Sequence, residues 1–353
     1  MKADEIFARR LRNARVMAGY SMDDLVREMG NSVSKMTISK LERQQIHPSS
    51  SIVMSLSDAL RVSPDYFFRP FTVEINSIRF RSSGRKMSAK EEKTLKNRIS
   101  DMIEKYLAIE EICNASVSFV SPVSSSVITD GDDARTAAET VRRAWKLGTD
   151  GIVSVVSLLE EKGIKVLETE APLSFDGLSA VVNDDTRVFV LNSSHSPERR
   201  RFTACHELGH LVLAFDSSLS EKEEEKLCHV FASELLLPES VFRILIGTSR
   251  ASLSYQEMKA LQLRYGISCD ALMYKAMDSG IISESKYRAF CMHRNSDTAF
   301  RTMVEKSYWP EDVSVRYSSL VFRALSDELI TLSKAAELLG ESEKSVREKL
   351  VEL

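Results

Sequence analysis

The sequence predicts a multidomain, mainly α chain with a small α+β core near its middle, an all-α N-terminal bundle and a helical C-terminal region. Three observations carry this. Four short helical patterns punctuated by Ser, Gly and Pro fill the first seventy residues, a strand pattern at 186–192 is followed by two helical patterns, and helical periodicity resumes beyond Pro238. A length of 353 residues suggests two or three domains, and 43% hydrophobic residues are enough for separate cores. The expected boundaries are 1–70, 71–125, 126–245 and 246–353.

The N-terminal patterns are Ile6-Phe7 with Leu11 and Val16, Ser21 to Gly30, Ser34 to Arg43, and Ser50 to Leu60. Short helices joined by tight turns suit a helix-turn-helix bundle. The segment resembles the Cro/CI-type, or XRE, DNA-binding domain. Leu25 and Gly30 flank its turn, Ile38-Ser-Lys-Leu-Glu42 matches the third helix, and Pro48, Leu56, Ala59-Leu60 and Ser63-Pro-Asp-Tyr-Phe67 match the fourth and fifth. The resemblance implies operator DNA as the partner of residues 1–70, with Ser34, Lys35, Met36, Thr37, Lys40 and Arg43 facing the major groove or its phosphates. It also implies a homodimer on two half-sites. Three positions depart from the pattern: Met22 replaces a Gln, Gln44 replaces a Gly after the third helix, and Asn31-Ser-Val-Ser34 lengthens the turn. Eleven Lys and Arg against eight Asp and Glu give this segment a net charge of +3, against −3 for the whole chain, which permits phosphate contact without demanding it.

Between residues 71 and 125, Phe71 to Phe80 alternates like a strand, either an edge of the central sheet or a bridge to it. Ser88 to Ile112 reads as a charged amphipathic helix, and Ser121-Pro-Val-Ser-Ser-Ser126 as a linker.

In the middle, Thr186-Arg-Val-Phe-Val-Leu-Asn192 is a β-branched and aromatic strand, and a polar turn with Pro197 leads into a helix. That helix carries Phe202-Thr-Ala-Cys-His-Glu-Leu-Gly-His210, and Leu211-Val-Leu-Ala-Phe215 is expected to continue it until Asp216-Ser-Ser-Leu-Ser220 breaks it. Two imidazoles four residues apart on a helix share a face, so His206 and His210 can grip one metal while Glu207 points toward a bound water as general base. This pattern is the core of a zinc peptidase. Cys205 beside the first histidine reads as a buried small hydrophobe. His195, just ahead of the helix, is a candidate oxyanion donor, though an exposed turn histidine is the simpler reading.

A tetrahedral catalytic zinc needs a third protein ligand and one open position. The next helix, Glu221 to Leu237 and ended by Pro238, offers Glu224, Glu225, His229 and Glu234. Glu225 and His229 lie one turn apart on a common face, so one can bind metal while the other supports a ligand. Glu234, nine positions after Glu225, falls on the opposite face. The acidic run from Glu221 also suits a solvated helix start favoured by the macrodipole.

From about Arg142 to Pro238 the chain resembles the ImmA/IrrE-type metallopeptidases. Trp145-Lys-Leu-Gly148, Leu159 to Val166, Phe175-Asp-Gly-Leu-Ser179, Arg200 to His210 and Phe231-Ala-Ser-Glu-Leu-Leu-Leu-Pro238 follow the family's order. The resemblance implies a zincin-like core, Zn2+ as cofactor, and Glu225 as third ligand through Glu225-Lys-Leu-Cys228-His229. His229 stands where Asn or Asp is usual, as a support for a ligating histidine or as an alternative ligand.

Beyond Pro238, Leu261 to Met273 resembles the helical continuation of longer family members, and Leu332 to Arg347 has a helix-turn-helix rhythm that we read as a bundle or oligomerisation element. No apolar run approaches the roughly twenty residues of a membrane span, and the start lacks an apolar signal segment. Five cysteines without paired short spacings fit reduced thiols in a cytoplasm. The combined expectation is a cytoplasmic zinc endopeptidase coupled to a DNA-binding regulator, cleaving a repressor, an antitoxin-like protein or itself in a stress or mobile-element response. The alternative is a non-catalytic repressor or antitoxin with a structural or sensory metal site.

Overall fold

The computed structural model describes residues 3–82, 87–123 and 127–350. Helices α1 (Ala3–Met17), α2 (Met22–Glu28), α3 (Lys35–Glu42) and α4 (Ser50–Leu60), with a 3-10 turn over Pro64–Phe67, close around Leu11, Leu25, Ile38, Leu56 and Phe67. Ser21, Ser34 and Ser49 each cap a helix through the hydroxyl, taking up backbone N–H groups that the first turn leaves unpaired. Arg15 on α1 grips Glu42 on α3 with two bonds of 2.6 and 2.9 Å. Gln44, the residue standing where a glycine is customary, adopts φ +60°. The left-handed turn is therefore kept at the steric cost of a side chain.

Strand β1 (Ile75–Ser82) and the long helix α5 (Ala89–Ile112) follow, α5 starting with a capping box between Ser88 and Glu91. The expected linker at Ser121–Ser126 falls partly outside the described residues. Next come β2 (Val127–Ile128), α6 (Gly131–Ala144), α7 (Val155–Glu161), β3 (Lys165–Thr169), β4 (Phe175–Val182) and β5 (Thr186–Asn192). The sheet order is β1-β4-β5-β3; β4 is antiparallel to both neighbours and β3 runs parallel to β5. The strand after residue 71 is thus an edge of the central sheet, paired from Ile75↔Val182 to Ser82↔Phe175.

Both faces of this sheet are covered. Val188 and Val190 of β5 pack with Leu95, Ile99 and Ile103 of α5, while Phe189 and Leu191 point into the opposite core. That explains why Val-Phe-Val-Leu reads as a continuous apolar run rather than an alternation. The opposite layer holds α8 (Pro197–Val212), which leads through β6 (Ala214–Phe215) to α9 (Glu221–Leu236). The first of these helices ends three residues earlier than the apolar run to Phe215 suggested. Leu213 turns extended (φ −89°, ψ 129°) and the next two residues pair in parallel with β2. Strand pairing there overrides a pattern that periodicity cannot tell from helix.

The remaining helices are α10 (Glu239–Ile246), α11 (Tyr255–Tyr265), α12 (Cys269–Asp278), α13 (Glu284–Ser296), α14 (Thr298–Val304), α15 (Arg316–Ser326), α16 (Leu332–Leu339) and α17 (Glu343–Lys349). Met258, Leu272 and Val304 share the core of α8 and α9, so apolar packing runs on past residue 245. The last three helices form their own cluster against Ile109 and Cys113 of α5. The N-terminal bundle is docked as well: buried Arg10 meets Glu104 of α5 at 2.7 Å and donates to the carbonyls of Arg69 and Pro70. No helix among the described residues is long and apolar enough to cross a membrane, and the five cysteines are free.

Candidate metal centre

Helix α8 starts at Ser196, whose hydroxyl accepts from Arg199 N, with Pro197 in the first turn where its missing N–H costs nothing. Its first turns are held by buried charges from far along the chain. Glu198 accepts from Ser307, Tyr308 N and Trp309 N; Arg200 pairs with Glu168 at 2.6 Å and with Glu311; Arg201 pairs with Asp312 at 2.6 Å. Asp312 also accepts from Ser154 Oγ, Val155 N and Val156 N, so one carboxylate caps α7 and anchors α8. The segment 307–314 is therefore a strap across the helix bearing the histidines.

One and two turns further on, His206 and His210 project from one face toward α9. His206 Nε2 lies 3.1 Å from His210 Nε2, and Glu225 places Oε2 3.1 Å from His206 Nε2 and Oε1 3.0 Å from His210 Nε2. Among the described residues, His206, His210 and Glu225 form the cluster able to hold a metal ion. The two helices approach closely because residue 209 is glycine. A Cβ there would sit 3.2 Å from Phe231 Cδ1 and 3.3 Å from Cys228 Sγ.

The donor set fits a divalent metal. Three lone-pair atoms converge, and a proton shared between any two leaves the third facing a like charge density, whereas one cation satisfies all three. Tetrahedral zinc with bonds of about 2.0–2.1 Å has ligand–ligand edges of roughly 3.3 Å, close to the separations seen. Where these imidazole nitrogens carry hydrogen, His206 and then His210 donate to Glu225 and hold its carboxyl well below the usual carboxylate range. Glu207, between the histidines in sequence, is buried.

The other candidates separate cleanly. Glu234 is buried in an ion pair with Lys275 at 2.8 Å and caps the next helix by accepting from Glu239 N. Glu223 closes the capping box of α9 with Ser220, in keeping with a solvated helix start, and Glu224 lies outside the converging set. His229 stands beside it too, its ring 4.6 Å from that of His206 and 5.8 Å from Phe202. Cys228 Sγ meets His210 Nδ1 at 3.2 Å. With Nε2 turned to a metal, Nδ1–H donates to that sulfur and fixes the ring. Sequence reasoning took Cys228 only as a small residue in a spacing pattern. Cys205 packs in the core, and burial pushes its thiol up to about 12, far from a thiolate ligand.

His195 is not an exposed turn residue. Its side chain is 6% exposed and lies 3.1 Å from Phe175 O and 3.2 Å from Asp176 Oδ1, because the β5–α8 loop folds back on the start of β4. It lines a cavity of about 740 Å³ that also touches Glu225 and His229.

In the N-terminal bundle, Ser34 caps α3 and its hydroxyl meets that of Thr37 at 3.0 Å; Lys35 pairs with Asp23 at 2.7 Å. Met36 is 64% exposed, and Lys40 and Arg43 also face solvent. One exposed surface around α3 thus carries the predicted contact residues, with Thr37 half-buried beneath it.

Comparison with known proteins agrees with both halves. Residues 11–67 match the helix-turn-helix family, and residues 159–277 match the IrrE N-terminal-like domain. The radiation response metalloprotease IrrE of Deinococcus radiodurans is 30% identical over 99 residues, which cover 25% of this chain and 30% of that protein. The chain spans under a third of the length of this curated relative. One segment of the chain is thus similar to helix-turn-helix domains and another to the IrrE N-terminal-like domain.

Proposed function

We propose that the protein is a zinc-dependent endopeptidase coupled to a DNA-binding regulator. The observation that carries this reading is the convergence of His206, His210 and Glu225 within 3.1 Å, with buried Glu207 between the histidines in sequence and a cavity of about 740 Å³ lined by Glu225 beside them. A zinc ion held by these three residues supplies Lewis acidity and lowers the pKa of water toward neutrality. Glu207 takes the proton of the attacking water and returns it to the leaving amine. Cys228 keeps the His210 ring oriented, and the strap through Glu198, Arg200 and Arg201 keeps α8 rigid beneath the substrate. A purely structural metal site has no use for a general base at 207, which favours the enzyme over the non-catalytic regulator.

Residues 1–70 bind operator DNA through Ser34, Lys35, Met36, Thr37, Lys40 and Arg43, as a homodimer. The division into units at 70, 125 and 245, the cytoplasmic setting, and a repressor or antitoxin-like substrate cleaved in a stress or mobile-element response belong to the same reading. The test is enrichment of newly formed protein N-termini from cells expressing the wild-type chain or Glu207→Gln. N-termini present only with wild type support the proposal; identical sets in both refute it.

A further inference from the structure

We infer that the cavity beside the metal centre is a specificity pocket for a large apolar or aromatic side chain of the substrate; the inference rests on the peptidase reading above. Glu225, His229 and Ser233 follow one another at four-residue intervals and all line this cavity, so one face of α9 leads from the metal centre outward along its wall. The facing walls come from Ala271 and Tyr274 of α12, Tyr287 of α13 and Val304 at the end of α14. Tyr274 and Tyr287 meet edge-on with centroids 5.8 Å apart, an arrangement that leaves aromatic surface turned to an incoming group. A volume of about 740 Å³ is that of a pocket for a ligand several residues long.

Charge decides the chemical class. Four cations line the cavity, and each already has at least one carboxylate partner: Arg135 has Asp278 at 2.7 Å and Glu239 at 3.1 Å, Lys275 has Glu234 at 2.8 Å, Arg294 has Asp270 at 3.0 Å and Glu305 at 2.8 Å, and Arg199 has Asp176 at 2.6 Å, so carboxylates outnumber cations. Apart from Glu225 in the metal cluster, the lining carboxylates are the partners in these same pairs. An acidic substrate side chain entering here would lose its water and find every cation already paired, and a basic one would have to share carboxylates already bonded to arginine or lysine, whereas an apolar one gains contact with Val230, Ala271, the two tyrosines and Val304.

The test is calorimetric binding of small hydroxamates to the full chain loaded with zinc. Acetohydroxamate carries no side chain and reports the open metal position alone. The N-acetyl hydroxamates of phenylalanine, leucine, aspartate and lysine add one side chain each. The phenylalanine and leucine compounds should bind at least about tenfold tighter than the charged ones, a difference of about 1.4 kcal/mol. Ala271→Trp, which narrows the pocket at its apolar wall, should reduce that preference while acetohydroxamate binds as before; Tyr274→Ser, which removes wall rather than occupying space, should weaken it too.

Equal affinity for all four side chains, or a preference untouched by Ala271→Trp, overturns the pocket. Failure of zinc-loaded wild type to bind acetohydroxamate at all overturns the peptidase reading instead.

Discussion

Replacing Asp312 with alanine tests how the metal-bearing helix is held. Asp312 lies 106 residues beyond His206, yet its carboxylate pairs with Arg201 at 2.6 Å where both side chains are almost fully buried. It also accepts from Ser154 Oγ at 2.6 Å and Val155 N at 2.9 Å. Without it, the guanidinium keeps the carbonyls of Ile152 and Val153 and the face of Trp309, none of which carries a countercharge. Removing one partner of a buried pair costs about 3–5 kcal/mol. The lost cap of α7 adds about 1 kcal/mol more, less what nearby Ser154 can retain. Asp312→Asn keeps an acceptor for the two donors and loses only the charge, so it should fall between wild type and alanine. Arg201→Met combined with Asp312→Leu removes both charges and should cost less than Asp312→Ala alone, because an apolar pair of similar volume leaves no buried ion uncompensated. Urea denaturation at constant slope measures these three variants together with the single changes Arg201→Met and Asp312→Leu. A loss below about 1 kcal/mol for Asp312→Ala, or a double variant equal to the sum of its singles, would refute the argument.

Other consequences are as direct. Cys228→Ala removes the sulfur that orients His210 and should weaken zinc binding by roughly tenfold in competition with a chromophoric chelator; unchanged affinity would show that Phe215 and the helix packing fix the ring unaided. Burial raises the Glu160 carboxyl from 4.5 to about 7, against the hydroxyls of Ser314 and Tyr106 that hydrogen-bond it. Its folded state holds a proton that the unfolded chain has lost, so the stability it contributes is complete below pH about 4.5 and falls as pH rises through about 7, by at most about 3 kcal/mol. Glu160→Gln should flatten that fall, and equal pH profiles for the two proteins would count against a neutral buried carboxyl. Lys40→Ala with Arg43→Ala should weaken operator binding by about 1–3 kcal/mol and lower its salt dependence by about two phosphate contacts; unaltered binding would move the DNA surface away from α3.

Local signals made much of this legible. Ser and Pro punctuation located the helices, from Ser21 and Ser34 to Pro197 and Pro238, and four-residue spacing put His206 and His210 on one face. Resemblance, not spacing, singled out Glu225, since Glu224 and His229 were equally near in sequence. What stayed hidden depends on distant pairing. Nothing around Glu198 or Arg201 announces Ser307 or Asp312, more than a hundred residues away. The end of α8 at Val212 was missed because Ala214 and Phe215 are drawn into pairing with Val127 and Ile128. The pocket wall was missed because Ala271, Tyr287 and Val304 belong to three helices that meet only in the fold.

The most direct test of the central claim is the zinc content of the purified full chain beside His206→Ala and Glu225→Ala, each checked for helical content by circular dichroism. About one zinc per chain in wild type, lost in both variants while helicity persists, is the predicted result. Well-folded wild-type protein without zinc, or zinc retained after Glu225→Ala, would contradict it.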